Sequence, residues 1–270
     1  MPRGRIPKIS PKVAARREAQ KLAWDAMEAR DAGRLDVMIE LCGRAIEIHE
    51  VCIDAHLMLL EVRPLPQDAR IAILMELVAR GARDLGRQFL SEHEGAMWDE
   101  LEGRPLMRAM ATLFGELVAT GRTEGYDEAI ALGEDMLRAD TDDHLGMREV
   151  LGPVYLARRQ WDDARRLLAR FDGCSLLPLE WTRLMLVFAT EGADAASMLL
   201  PGITARNGVV AVRMRGSLRR RRYRAASYLA GSEEEAEMAI DCLRPALRAM
   251  PSFRKWLRSA AGNRLSDPGS

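Results

Sequence analysis

The residues able to do chemistry are scattered along this chain, and their spacings argue against most reactions. "HEVCI" (His49–Ile53) and "HEGAM" (His93–Met97) each open like a zinc-protease helix. The second histidine, four residues on, would put both ligands on one helical face. Ile53 and Met97 stand there instead, and neither can ligate zinc. His49, Cys52 and His56 have i, i+3, i+7 spacing, so on a continuous helix they could face one ion. The competing reading makes Glu50–Val51 a linker and turns Cys52 inward. No Lys follows a Gly anywhere and no Gly-x-Ser-x-Gly exists, which removes the phosphate loop and the nucleophile elbow. His144 beside Asp142 and Asp143 could move protons, yet "DTDD" reads better as the cap of a helix beginning near His144. No catalytic or metal residue and no cofactor is assigned, and the expectation is a protein that is not an enzyme.

Charge is more informative than catalysis. The chain holds 40 basic and 40 acidic residues, so no overall field draws it to nucleic acid or membrane. All but four of the basic residues are Arg, a bias that a GC-rich genome produces. From Arg206 to Arg224 there are eight Arg and no acid, with Tyr223 inside the run and Tyr228 after it. Such a cluster can neutralise phosphates while its aromatics stack on bases. Arg219, Arg220, Arg221, Arg222 and Arg224 are therefore candidate nucleic-acid contacts. Pairing with the chain's own acids, pairing across a homodimer, or plain solvation are the alternatives. The stretch Glu124–Asp143 holds eight acids and one Arg and reads as a solvated face, or else as a surface for a basic partner.

The elements that must position these residues are helical. Apolar residues recur at three and four spacing in "LAWDAM", "VMIELCGRAIEI", "CIDAHLMLL" and "ARIAILMELVARGARDLG". Ser10–Pro11 opens the first helix, and two S-x-x-E boxes, Ser91/Glu94 and Ser232/Glu235, mark further starts. Only "GVVAVRM" (Gly208–Met214) hints at alternation; it reads as a helix end or irregular crossing, with one short strand possible. No apolar run reaches the roughly 18 residues of a membrane span. Cys42, Cys52, Cys174 and Cys242 form no C-x-x-C, and the basic, proline-rich N-terminus has no apolar segment behind it. The expectation is a soluble cytoplasmic protein with reduced thiols and no membrane partner. Its divisions are a disordered basic tail at 1–9, degenerate repeat helices at 10–63, an inserted helix and linker at 64–103, core repeats at 104–205, and an Arg-rich segment with capping helices at 206–270.

A repeat gives the arrangement. "GYDEAIALGEDML" (Gly125–Leu137) is echoed by "QWDDARRLL" (Gln160–Leu168): Tyr126 and Trp161, Asp127 and Asp162, Ala129 and Ala164, Leu132 and Leu167 are all 35 residues apart. Ala164 and Ala196 are 32 apart. Self-similarity at this period marks stacked helical hairpins, each needing a neighbour to bury its second face. In "LGPVYLARRQWDDARRLLARF", Gly152 and Ala164 are small where two helices cross, and Tyr155 and Trp161 fill the wedge to the next pair. This spacing resembles the tetratricopeptide repeat over residues about 20–200. More narrowly, Trp98–Leu257 is similar to bacterial members of the suppressor-of-tumorigenicity-seven-like family, through "WDELEGRPLMRA", "ALGEDMLRADTDDHLGMREVL" and "GSEEEAEMAIDCLRPALRAMPSFRKWL".

The resemblance implies an all-α, right-handed solenoid with a C-terminal cap and no catalytic residues to transfer. By the repeat frame, the first helix of each pair lines a concave face. That selects Arg108 and Ala111 from one repeat, Glu149 and Pro153 from the next, and Trp181, Met185 and Phe188 from the last. Such a groove suits an extended or helical peptide, with Trp181 and Arg108 the expected anchors. The alternative is that Trp181 and Phe188 pack under the C-terminal helices. The leading expectation is a scaffold or adaptor for a protein or peptide; the second is an accessory protein on RNA or DNA through the Arg cluster.

Overall fold

The computed structural model describes residues 10–216 and 228–262, and the tail at 1–9 and Arg219–Arg222 with Arg224 lie outside them. Among the described residues the fold is all-α. The one exception is an isolated antiparallel bridge between Ala96 and Asp140. The chain divides into two compact units, Met1–Leu117 with Arg138–Asp142 and Val118–Leu137 with Asp143–Ser270.

The first unit holds α1 (Pro11–Asp31), α2 (Leu35–Ile48), α3 (Ile53–Val62), α4 (Gln67–Leu85), α5 (Arg87–Glu92) and most of α6 (Arg104–Ala119). Ser10 caps α1 by accepting from the Val13 N–H, with Pro11 in the first turn. An alanine stripe on α1, Ala19, Ala23, Ala26 and Ala29, is fully buried. Four small side chains at three and four spacing let α2 lie close along α1, where Met38, Cys42 and Ala45 fill the seam with Cys52, Ala55 and Met58. A second cluster joins Ile53 to Leu77 of α4 and to Leu106 and Ala109 of α6. Ser91 is not a helix start. Leu90 already bonds back to Gly86, so the chain is helical before Ser91, and α5 ends at Glu92.

The second unit holds most of α7 (Thr123–Ala139), then α8 (Met147–Ala157), α9 (Trp161–Arg170), α10 (Leu177–Thr190), α11 (Ala193–Arg206), α12 (Gly208–Arg215), α13 (Glu233–Ala249) and α14 (Pro251–Gly262). The acid-rich cap before α8 is Asp143, whose carboxylate accepts from the N–H groups of Met147 and Arg148, so the helix starts three residues after His144. Ser232 caps α13 through the Glu235 N–H, while the Glu235 carboxylate reaches back to Gly231 and takes Asn207 as well. "GVVAVRM" is helix, not strand, because Asn207 caps it through the Val209 N–H.

Ala129, Ala164 and Ala196, the three alanines at repeat spacing, sit on α7, α9 and α11 and are all fully buried. Helix α8 packs on α9, α10 and α13, and α10 packs on α11, α13 and α14. Gly152 lies at the crossing of α8 with α10: a Cβ there would sit 3.0 Å from Cγ2 of Thr182. Gly115 on α6 has open space instead. Gly152→Val should therefore destabilise the chain by about 1–3 kcal/mol through overpacking, whereas Gly115→Ala should stabilise it by up to ~1 kcal/mol through helix propensity. Urea midpoints of the two variants check both signs.

Candidate functional site

Two places collect the features of a binding site, one in each unit. In the first unit a cavity of about 370 Å³ opens between α1, the α2–α3 turn, the end of α4 and the turn leading into α6. One stripe of α1 supplies Arg16, Arg17, Gln20, Lys21 and Trp24. Opposite lie Val51, Cys52 and Ile53, then Gly81, Asp84 and Leu85, then Leu101, Glu102 and Pro105. Gly81 lets α4 pass close over the floor: a Cβ there would fall 2.6 Å from Cδ1 of Ile53 and displace that methyl.

Asp84 is the electrostatic centre of this cavity. Its carboxylate receives Lys12 Nζ at 3.0 Å, Arg16 at 2.9 Å and His49 Nε2 at 3.1 Å. Its backbone carbonyl accepts from Lys12 and Arg16 as well, so both cations also complement the C-terminal end of α4. Burial pulls the Asp84 carboxyl upward, but the Lys12 hydrogen bond and the charges of Arg16, His49 and Lys12 outweigh it, and the net shift is downward. Across the mouth, Arg17 pairs with Glu102 at 2.9 Å. Glu102 is also lowered: burial raises it, and the Arg17 hydrogen bond and charge overcome that.

His49, Asp84 and Cys52 line the same cavity, a composition that invites a nucleophilic reading. The geometry opposes it. The Cys52 thiol donates to the Ala19 carbonyl at 3.7 Å, and burial pushes its pKa up to about 11, so no thiolate forms near neutrality. His56 Nε2 is engaged with the Glu50 carbonyl at 2.9 Å. No group of three or more metal-ligating side chains occurs among the described residues.

In the second unit the candidate surface is the face shared by α8 and α10, and α13 lies along it. Trp181 and Met185 on α10 and Pro153 on α8 are buried within the unit. Phe188 is half-buried in an aromatic cluster with Phe253 (centroids 5.3 Å apart) and Trp256 (5.1 Å) of α14. Glu149 lies within electrostatic reach of Cys242 on α13. Burial pushes the Glu149 carboxyl up, with Arg148 pulling it back and Asp143 adding to the rise. The same burial, with Glu149 and Asp241 nearby, raises Cys242 to about 12. Arg254, in the segment "FRKWL", closes the end of α12 by donating to the carbonyls of Met214 and Gly216.

The sequence-selected residues thus separate. Arg108 and half-buried Ala111 belong to α6 in the first unit. The Arg108 guanidinium grips Asp54, itself 1% exposed, through two hydrogen bonds of 2.8 and 2.5 Å, and Gln20 supplies a third at 2.7 Å. Glu149, Pro153, Trp181, Met185 and Phe188 come together in the second unit. Of the Arg run, Arg206 pairs with Glu180 and Arg213 with Glu237, Arg215 ends α12, and Arg219–Arg222 with Arg224 lie outside the described residues. In the acid-rich stretch Asp127 pairs with Arg158 at 2.6 Å, and Glu134 accepts from the Tyr155 hydroxyl at 2.8 Å. The α1 stripe escaped sequence reasoning. Its signal was a basic-aromatic face, Arg17, Lys21 and Trp24 at i, i+4, i+7, hidden inside an ordinary amphipathic pattern. Comparison with protein-family models, curated proteins and solved structures returns no match for this chain. No described helix is by itself long and apolar enough to cross a membrane.

The Asp84 cluster makes a pH prediction. A carboxyl whose folded pKa is depressed adds stability above its unfolded value and loses it as pH falls through the folded one. The stability gap between wild type and Asp84→Asn should be full at neutral pH and narrow once pH drops below the ordinary value of 3.8. Urea unfolding of both proteins across the acid range reads this directly.

Proposed function

We propose that this chain is a non-enzymatic scaffold: a tetratricopeptide-like, right-handed stack of helical hairpins that binds a helical segment of a protein partner. The repeat reading is supported by the common burial of Ala129, Ala164 and Ala196 on α7, α9 and α11. It is supported again by Gly152 at a close helix crossing and by the Tyr155–Glu134 bond between α8 and α7.

One observation carries the binding assignment: the face of α8 and α10 already holds a helix, α13. Ala236, Ala239, Ile240, Leu243, Ala246 and Leu247 form its buried side. This is the i, i+3, i+4, i+7 pattern by which amphipathic helices enter grooves. Helix α13 is therefore the stand-in for a partner helix. Its own fit is imperfect. Pro245 interrupts the helix interior, which costs about 3 kcal/mol in an unsupported helix. On α10 and α8, Trp181 Nε1 and Glu149 Oε2 are buried and find no hydrogen-bond partner among the described residues, at about 1–3 kcal/mol each. A partner helix that satisfies those atoms competes with α13 for the same face.

A fluorescent peptide of residues 232–250, added to the full chain carrying Ser232→Ala and Glu237→Ala, tests this. Those changes remove the α13 cap and its ion pair with Arg213. The peptide should bind the variant saturably and wild type more weakly, and a Leu243→Asp peptide should fail. A peptide that ignores the variant, or that binds wild type, variant and Leu243→Asp alike, contradicts the assignment.

A further inference from the structure

We propose that the cavity of the first unit is a receptor for a small amphipathic monocarboxylate, an apolar body of acyl type carrying one negative charge, separate from the helix seat on α8 and α10. The cavity is apolar where it is deep. Val51, Ile53, Leu85 and Pro105 line it, and Trp24 and Leu101 stand at its mouth. These last two are 43% and 54% exposed. A ligand seated in the cavity would cover part of both, and a void of about 370 Å³ is within the range of small-molecule sites. Taking roughly 30 Å³ for each water-sized group, it accepts about a dozen non-hydrogen atoms.

The charge of the ligand follows from the rim. Arg16 and Arg17 are each matched by a carboxylate, Asp84 and Glu102, at 2.9 Å. Asp84 is further supplied by Lys12 and His49. Lys21, one turn along α1 from Arg17, also lines the cavity and makes no hydrogen bond or ion pair among the described residues. Lys21 is therefore the one lysine or arginine lining the cavity that has no anionic partner among the described residues. A monoanion matches it. A cation would meet Lys21. The residues preceding α1 carry Arg3, Arg5 and Lys8 and no acid, the wrong sign to fill this site.

Apolar depth and the Lys21 charge are arranged as the two ends of one ligand. The acyl body lies between Trp24 and Ile53 and against Leu101, and the carboxylate meets Lys21 where α1 turns its charged side to solvent. A charge-assisted hydrogen bond at a half-exposed site fixes orientation, while apolar contact supplies most of the affinity.

Decanoate, with a body of this size, is the probe. Titration calorimetry on the full chain should give one saturable site for decanoate and none for decyltrimethylammonium. Lys21→Glu, a change at an exposed position, should weaken decanoate at least about tenfold. Leu101→Asp, at the exposed mouth, should weaken it comparably. Circular dichroism establishes that both variants fold. Absence of decanoate binding to wild type, equal binding of the two chain-length-matched probes, or decanoate affinity unchanged in Lys21→Glu would each overturn the proposal. The α13-peptide experiment reads the other unit and is independent of these results.

Discussion

A pair of helices that presents an apolar face to water is unstable until something covers it, and in the second unit that something is α13. Trp181 and Met185 of α10 and Leu156 of α8 are fully buried. Covering them removes several large side chains from water, each worth about 1.5–3 kcal/mol. The arrangement of α12 and α14 follows from it. Asn207 and Glu235 tie the start of α12 to the start of α13, Arg213 and Glu237 tie their bodies, and Arg254 of α14 closes the end of α12. Phe188, Phe253 and Trp256 complete the covering from the α14 side.

The first unit solves a different problem, the burial of charge. Asp54 and Asp84 each lie at the meeting of three or more donors, and each draws them from helices far apart in sequence. An uncompensated carboxylate at either place would be costly. Once Arg108, Gln20, Arg16, Lys12 and His49 are committed to these two anions, the basic side chains of α1 are sorted into those paired with an acid and one, Lys21, that has no such partner among the described residues. That sorting separates the structural polar groups of the cavity from those available to a ligand.

Local features were legible in the sequence. Helical periodicity, the Ser10 and Ser232 caps, the Asp143 cap ahead of α8 and the small residue at 152 all depend on neighbours within a few residues or on one periodic face. The failure at Ser91 has the same root. Ser-x-x-Glu specifies a cap only if the chain before it is not helical, and Gly86 had already opened α5. The cavity was not legible. Arg16 meets Asp84 across 68 residues and Arg108 meets Asp54 across 54. No periodicity encodes such pairs. Arg108 therefore read as an open anchor when its guanidinium is engaged by a buried acid, and Lys21 read as one more solvated charge. The alternative in which Phe188 packs beneath C-terminal helices describes its surroundings, Phe253 and Trp256 of α14.

Amide hydrogen exchange followed residue by residue tests the central claim, that α13 is an exchangeable occupant of the α8/α10 face. The account predicts that the amides of α13 open together, at a lower free energy than those of α8, α9 and α10, because the helix leaves its seat while the remaining pairs stay folded. Amides of α13 that exchange only with global unfolding, at the same free energy as those of α8 and α10, would contradict it and make α13 a permanent part of the core.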